Sequence, residues 1–210
     1  MAKRLRFKKF KKNPGRSLLT VGACTVVLVV LLTIVSLLRP TADHQTKSVT
    51  VTNQYNQKNE FIKQIAPAAM KYGNQYGVFP SITIAQAILE SDWGKSQLAA
   101  DYHNLFGVKS DGGDQYVSLQ TKEYVNGDWQ TVSAQFQIYN SFDASIADHD
   151  KLLAYGTSWN THQYKHVLAS SNYVEAAQNL QVDGYATDPD YTDKIISLIE
   201  KYNLYQYDTK

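Results

Sequence analysis

The fold class of this chain follows first from residues 116–139, YVSLQTKEYVNGDWQTVSAQFQIY. Its polar and apolar residues alternate, as they do along a β-strand with one face toward the protein interior. Asn126 and Gly127 divide the stretch in two, and Asn-Gly is the strongest short-range signal for a two-residue hairpin turn. The sequence therefore predicts a β-hairpin. In its first strand, alternation places five residues on one face: Val117, Leu119, Thr121, Glu123 and Val125.

Helical patterns precede this hairpin. Apolar residues three and four apart predict a helix from about residue 57, in which Pro67 marks a kink or a restart. A second helix is expected over residues 82–91 (ITIAQAILES), with Ser81 as its N-cap. Residues 92–115 have no regular period, so we expect them to be irregular.

Helical patterns return after the hairpin, in residues 141–155, in residues 171–181 and after Asp188-Pro189. In the last of these helices Asp188 is the expected N-cap, with Pro189 in the first turn. The order of helices, hairpin and helices indicates a predominantly α member of the α+β class, with a cleft between a helical lobe and a small hairpin lobe.

The first forty residues differ in composition from the rest. They contain nine Lys or Arg and no Asp or Glu, and eight of these basic residues lie in residues 1–16. Residues 17–38 are uncharged, and as a helix they would rise about 33 Å, enough to cross a hydrocarbon core of about 30 Å. We expect a transmembrane signal-anchor here, with the C-terminal part outside the cell. A cleaved signal peptide is the alternative, although its apolar core is usually shorter.

Beyond this segment, residues 39–56 are rich in Thr, Gln and Asn and are expected to form a linker, and residues 57–207 a single domain. After residue 40 the chain has 12 basic and 19 acidic residues. This acidity argues against nucleic acid as a partner, because phosphate binding needs clustered Lys and Arg. The one cysteine, Cys24, lies in the apolar run, so the domain has no disulfide and no thiol nucleophile.

Two carboxylates have the positions that hydrolysis of a glycosidic bond requires. Such hydrolysis needs one carboxylic acid that keeps its proton, and usually a second carboxylate. Glu90 ends an apolar helical segment, where the helix dipole and apolar neighbours would raise its pKa. Glu123 lies on the apolar face of the first strand. From pattern alone both remain open to a simpler interpretation as solvated surface carboxylates, and Tyr185 and Tyr191 remain open to one as core residues.

Four segments resemble glycoside hydrolase family 73, the bacterial endo-β-N-acetylglucosaminidases that cut peptidoglycan. They are IAQAILESDWGKSQLA (84–99), NLFGVK (104–109), TKEY (121–124) and GYATDPDYTDKI (184–195), in the family's order. The resemblance implies a lysozyme-like fold in which Glu90 is the general acid, Glu123 the second carboxylate on the hairpin lobe, and Tyr185 a catalytic-cleft residue. Within these motifs five residues are expected to contact substrate: Trp93, Asn104, Phe106, Gly107 and Tyr191.

The implied substrate is the peptidoglycan glycan strand, cut after N-acetylglucosamine in GlcNAc-β-1,4-MurNAc, without a cofactor. Either Glu123 activates water or the substrate's own 2-acetamido group attacks. Asp92 and the FQIY segment (136–139) depart from the family's usual Gly or Ser and its F-R-x-Y pattern, which affects contacts to the sugar and leaves the acid intact.

Three other classes of protein are alternatives to this interpretation. A lytic transglycosylase would share the fold and the lone catalytic Glu, and a wall-binding domain would need neither Glu90 nor Glu123. A zinc amidase or peptidase needs clustered ligands. His162 and His166 have helical spacing, but THQYKH (161–166) lacks the Glu of H-E-x-x-H. No metal site is expected.

Overall fold

The structure is a computed structural model that describes residues 42–208, apart from 111, 114, 126 and 127, and the side chains of the same residues apart from 42–51 and 122–130. A compact unit runs from Asn53 to the C terminus. Its helices and strands, in chain order, are α1 Ala42–Tyr76, α2 Pro80–Ser91, α3 Gln97–Tyr102, β1 Tyr116–Val125, β2 Asp128–Gln137, α4 Phe142–Tyr155, α5 Lys165–Ala169, α6 Tyr173–Val182, α7 Tyr191–Lys201 and a final 3-10 helix Leu204–Tyr207. The predicted α+β class, predominantly α with one hairpin, is confirmed.

Helix α1 is longer than the sequence predicts. It begins at Ala42, inside the segment expected to be a linker, and continues through Pro67 as one element without a restart. Residues 52–57 are exposed, whereas Phe61, Ile65 and Ala69 are buried in the core. The turns packed in the core provide the helix nucleus, which is the unfavourable step of helix formation. Exposed residues before them can then join the helix, because each one added forms a further hydrogen bond and none is Gly or Pro. Apolar periodicity could not detect such an extension.

Helix α2 is the central helix of the domain. It contacts α4, α6, α7 and the final 3-10 helix, and ten of its twelve residues are buried. A helix that is buried over most of its surface is stabilised mainly by the elements packed around it. The domain is therefore built around the element that ends next to Glu90.

The N-terminus of α2 differs from the prediction. Phe79 is the N-cap and Pro80 occupies the first turn, while Ser81 lies inside the helix. The backbone N–H and the hydroxyl of Ser81 donate to the carboxylate of Asp208, over 2.8 and 2.6 Å. Asp208 therefore does the work expected of a local cap, because a carboxylate satisfies free N–H groups and complements the positive end of the helix dipole.

The predicted hairpin is confirmed, and its register explains the alternating pattern. Strands β1 and β2 are antiparallel, with Val117 opposite Phe136 and Val125 opposite Asp128. Val117, Leu119 and Thr121 are half-buried, and the residues between them are exposed. The strands are followed by α4, whose N-cap Ser141 accepts a hydrogen bond from the backbone of Ala144.

Helix α7 begins two residues later than the sequence predicts. Asp190, rather than Asp188, is the residue before the helix, and Pro189 lies in the preceding turn. Asp188 instead folds that turn: its side chain accepts from Asp190 N over 2.9 Å and its carbonyl from Tyr191 N over 3.1 Å. Ile195 and Ile199 of α7 are fully buried, as their spacing predicts.

The irregular stretch expected at 92–115 contains the six-residue helix α3, which Ser96 caps through its side chain. Its two turns bury only Ala99, which leaves too little periodicity for detection. The segment expected to be a transmembrane anchor, residues 17–38, lies outside the described residues. Among the helices that are described, none is long and apolar enough to cross a membrane.

Candidate active site

A cleft of about 1010 Å³ opens beside the C-terminal end of α2. Its walls come from α2, α4 and α7, from the loop that follows α4, and from the segment before α7, with Phe106, Val108 and Lys109 beside them. The residues that matter for chemistry among those lining it are Glu90, Phe106, His149, Trp159, Tyr185 and Tyr191. The cleft therefore combines Glu90 with several aromatic side chains.

Glu90 is the penultimate residue of α2. The negative end of the helix dipole opposes a carboxylate at this position. Surrounding protein removes water from the carboxyl and raises the pKa of Glu90, and this effect exceeds the hydrogen bond from Tyr191 and the proximity of His149, which both lower it. Solvent still reaches the side chain through the open cleft. A carboxyl that solvent can reach, and that keeps its proton to a higher pH than an ordinary glutamate does, has the property a general acid needs.

Tyr191 holds this carboxyl in place. Its hydroxyl donates to Glu90 Oε1 over 2.9 Å and accepts from Gln86 Nε2 over 3.1 Å. Tyr191 lies at the start of α7 and is buried, so the chain Gln86–Tyr191–Glu90 joins two helices. Burial and the nearby carboxyl raise the pKa of Tyr191. The phenol therefore stays protonated and acts as a donor.

Tyr185 lies against the same group of rings. Its ring centroid is 6.0 Å from Tyr191, 6.0 Å from Tyr164 and 5.9 Å from His149. Burial, followed by the proximity of Tyr191 and Glu90, raises the pKa of Tyr185 well above its ordinary value. Like the Tyr191 phenol, the Tyr185 phenol therefore stays protonated in the cleft.

His149 is a cleft residue that sequence reasoning missed. Its ring stacks on Phe106 with centroids 3.9 Å apart, and Nδ1 lies 2.9 Å from Asp150 Oδ1. That Asp150 oxygen also accepts from the Thr83 hydroxyl over 2.7 Å. His149 Nε2 has no partner among the described residues. The network connects α4 to α2 through Thr83. The spacing of His149 within α4 could have indicated that it is buried. No local pattern indicated its stacking on Phe106 or the link to Thr83.

Phe106 lines the cleft, but two of its predicted neighbours do not. Asn104 is buried and spends its amide on the backbone: Nδ2 donates to Val108 O and Gln137 O over 2.9 Å each, and Oδ1 accepts from Val108 N over 3.0 Å. Gly107 has a φ of +67° and is not part of the cleft wall. Asn104 therefore shapes the loop that carries Phe106, a role that the motif alone does not reveal.

Trp93 is also separate from the Glu90 cleft. It packs edge-on against Tyr202 and Phe61, with centroid distances of 4.8 and 6.4 Å, and Lys58 Nζ lies 4.7 Å from its ring centre. It lines another pocket with Phe61 and Phe142. The predicted contact of Trp93 with substrate has no support in this geometry, because proximity to Glu90 in sequence does not place the two side chains on the same side of the helix end.

Glu123 lies in β1 opposite Gln130. Its side chain is outside the described part of the structure, so its role stays a prediction. Its strand is linked to the cleft at the other end: Lys109, a cleft residue, forms an isolated bridge with Phe136, which pairs with Val117.

His162 and His166 do not form a pair. His166 Nδ1 lies 2.6 Å from Asp183 Oδ1, and the backbone of His166 also donates to Asp183. Within the described residues, no group of three or more His, Cys, Asp or Glu is arranged to hold a metal ion.

Comparison with known proteins identifies the family. A family model described as glucosaminidase, mannosyl-glycoprotein endo-β-N-acetylglucosaminidase, matches residues 66–204, which include the whole cleft wall. The chain belongs to this family, glycoside hydrolase family 73. Glu90 and the aromatic cleft residues all lie within the matched region.

The relatives of this chain include bacterial proteins named as glycan-cleaving enzymes. It is 49% identical over 157 residues to exo-glucosaminidase LytG of Bacillus subtilis, covering 75% of this chain and 56% of that protein. It is 38% identical over 166 residues to a probable N-acetylmuramidase of Lactococcus lactis, covering 78% of this chain and 38% of the relative. The chain thus spans about half of the first relative's length and less of the second's.

A solved structure shares the fold of this chain. The catalytic domain of the autolysin Auto from Listeria monocytogenes matches with a TM-score of 0.69 and 33% sequence identity, covering 93% of this chain and all of that domain. The expected lysozyme-like architecture of the family is thereby confirmed.

Proposed function

We propose that the domain hydrolyses the glycan strand of peptidoglycan after N-acetylglucosamine, at the GlcNAc-β-1,4-MurNAc bond, with Glu90 as general acid. The observation that carries this proposal is the placement of Glu90. It lies in an open, aromatic cleft at a helix C-terminus, where burial raises the pKa of its carboxyl. Family membership supplies the reaction class.

In this proposal the two oxygens of Glu90 have different tasks. Oε1 accepts the hydrogen bond from the Tyr191 hydroxyl, so Oε2 is the oxygen that carries the transferable proton. Glu90 gives this proton to the glycosidic oxygen as the bond to the sugar breaks. The same Tyr191 bond then stabilises the carboxylate that forms, because hydrogen bonds to a charged acceptor are stronger than those to a neutral one.

Attack at the sugar carbon follows one of two routes. Glu123 activates a water molecule, or the 2-acetamido group of the substrate attacks and Glu123 stabilises the charge. Glu123 is six residues beyond Val117 on β1, which is about 20 Å along a strand. For Glu123 to act at Glu90, the hairpin must therefore lie over the cleft when substrate is bound.

Product analysis tests the proposal. Purified peptidoglycan digested by the full chain, in EDTA, should give fragments that end in reducing N-acetylglucosamine, as mass spectrometry after borohydride reduction can show. The names of the relatives differ on this point, since one is a glucosaminidase and another a muramidase. Reducing muramic acid would contradict the assigned bond, and anhydro-muramic acid would place the enzyme with the lytic transglycosylases. Binding without cleavage would identify a wall-binding domain, and loss of activity in EDTA would indicate a metal enzyme.

We further propose that residues 17–38 anchor the protein in the cell membrane, with the basic residues 1–16 in the cytoplasm and the glucosaminidase domain outside. The support is the sequence: an uncharged run of membrane-spanning length that follows a basic cluster. The protein should remain in the membrane fraction after alkaline and high-salt washes. Recovery mainly from the medium, with a new N terminus near residues 40–50, would show a cleaved signal peptide instead.

A further inference from the structure

The loop after α4 contributes an aromatic ring to the cleft, at a place that proton transfer does not use. Trp159 exposes 82% of its surface and lines the same cleft as Glu90. Tyr155, at the end of α4, is 60% exposed and lines it too. Single exposed aromatic residues are common, but two that share one cleft wall form an apolar patch, and such patches mark binding sites.

The turn that carries Trp159 is held by hydrogen bonds on both sides. Thr157 N donates to Asn160 O over 3.0 Å, and Asn160 N donates to Thr157 O over 3.2 Å, which leaves Ser158 and Trp159 as a two-residue tip. The Thr157 hydroxyl donates to Gln163 Oε1 over 3.0 Å. The backbone below the indole is therefore fixed although the indole itself packs on little.

Gly156 shows how closely this turn is folded. Its φ is +69° and its ψ −159°, a backbone conformation that is essentially restricted to glycine. A Cβ at this position would lie 2.2 Å from Asn160 O, a backbone atom that cannot move independently. The backbone of the loop is thus closely folded, so little backbone entropy is lost when a ligand contacts Trp159.

Tyr155 is held in a similar way. Its ring meets Tyr76 of α1 edge-on, with centroids 5.9 Å apart and an interplanar angle of 80°. Sugar rings present apolar C–H faces, and rigid aromatic side chains offer large contact area to such faces at low entropic cost. The wall formed by Tyr155 and Trp159 is therefore suited to a sugar ring.

We propose that Trp159, supported by Tyr155, is an aromatic platform that binds a sugar ring of the glycan strand away from the bond that is cleaved. The inference rests on the proposed function, because the shared cleft with Glu90 makes the glycan strand its occupant. Trp159 then sets affinity for the strand, while Glu90 sets the rate of bond breaking.

Binding to purified peptidoglycan tests this platform directly. The full chain carrying Glu90→Gln is compared with the same chain that also carries Trp159→Ala or Trp159→Phe, and with Tyr55→Ala as a matched loss of an exposed aromatic ring outside the cleft. Loss of a Trp anchor should weaken binding about tenfold. Phe keeps a smaller ring and should fall in between. Because Trp159 is so exposed, its replacement should leave the melting temperature unchanged.

Kinetics and fluorescence give independent readouts. In the active enzyme, Trp159→Ala should raise KM by about the same factor and change kcat less than about twofold, as expected for uniform binding. A soluble GlcNAc tetramer should change the tryptophan emission of the parent protein and not that of Trp159→Phe. Binding by Trp159→Ala that is as tight as the parent's, or a loss that Tyr55→Ala shares, would overturn the platform. If the enzyme released no fragments ending in reducing N-acetylglucosamine but Trp159→Ala still lost binding, the proposed bond would be wrong and the platform would stand.

Discussion

The hydroxyl of Tyr191, at the first turn of α7, donates a hydrogen bond to Oε1 of Glu90, at the last turn of α2, over 2.9 Å. The two residues are 101 positions apart in the chain. Through this bond the packing of α7 on α2 determines the position of the acid, and it also adjusts the acid's pKa.

Tyr191→Phe should lower kcat about tenfold, the effect of losing one hydrogen bond of about 1.4 kcal/mol to a group that becomes charged. The bond lowers the pKa of Glu90, so its removal raises that pKa further and moves the alkaline limb of the pH–rate profile to higher pH. Tyr173→Phe is the control, because Tyr173 stacks on Tyr205 outside the cleft. An alkaline limb that moved to lower pH would refute this role.

Glu90 should make stability depend on pH. Because its folded pKa is raised above the ordinary 4.5, the folded state holds the proton more tightly than the unfolded chain. The resulting stabilisation is complete below about pH 4.5 and is lost as the pH rises through the folded pKa. Glu90→Gln, which stays neutral, should therefore melt at a higher temperature than the parent at pH 7 and at nearly the same temperature at pH 4.

Calorimetry at both pH values measures this difference, with Glu200→Gln on the exposed side of α7 as control. If the variant were less stable than the parent at pH 7, the ionised carboxylate of Glu90 would stabilise the folded state. That result would contradict the expectation that the cleft raises the pKa of Glu90.

Asp208→Ala should destabilise the domain by about 1–2 kcal/mol, since it removes the carboxylate that caps the N-terminus of α2. Urea denaturation measures the loss. Asp101→Ala, which removes an exposed carboxylate of α3, should cost less. Equal stabilities for the two variants would show that Asp208 contributes nothing through α2.

Glu123→Gln should lower activity, and the size of the loss reports the route of attack. If Glu123 is the base, the loss should approach that of Glu90→Gln, and azide should partly restore the rate. If the 2-acetamido group attacks, the loss should be smaller and azide should have no effect. Lys122→Gln controls for a charge change at the neighbouring position. An unchanged rate in Glu123→Gln would remove Glu123 from the mechanism.

Local signals in the sequence were enough for the hairpin and for the position of Glu90. Alternation and Asn126-Gly127 act within a few residues, and register then confirmed the half-buried face that contains Val117 and Thr121. Glu90 follows an apolar segment directly, so its place at the end of a buried helix could be read from its neighbours.

Features that depend on distant partners could not be predicted. The cap on Ser81 comes from Asp208, 127 residues away, and a local serine was the better guess without the fold. The place of His149 in the cleft depends on the packing of α4 beside α2, which the sequence does not show. Trp93 and Asn104 lie in the motifs that carry the resemblance. In the structure, however, Trp93 packs against Tyr202 and Asn104 hydrogen-bonds the loop backbone. A motif identifies a family more reliably than it separates residues that touch the substrate from residues that support them.

In the proposed reaction Glu90 supplies the proton that breaks the glycosidic bond. This role is tested by the rate of reducing-end release from purified peptidoglycan by the parent enzyme and by Glu90→Gln, both shown to be folded and to bind peptidoglycan equally. Gln keeps the shape and still accepts the bond from Tyr191, but its amide is not acidic enough to transfer a proton. The rate of the variant should be at least about 10² to 10⁴ times lower. A variant that binds peptidoglycan and hydrolyses it at near the parent rate would show that Glu90 is not the acid.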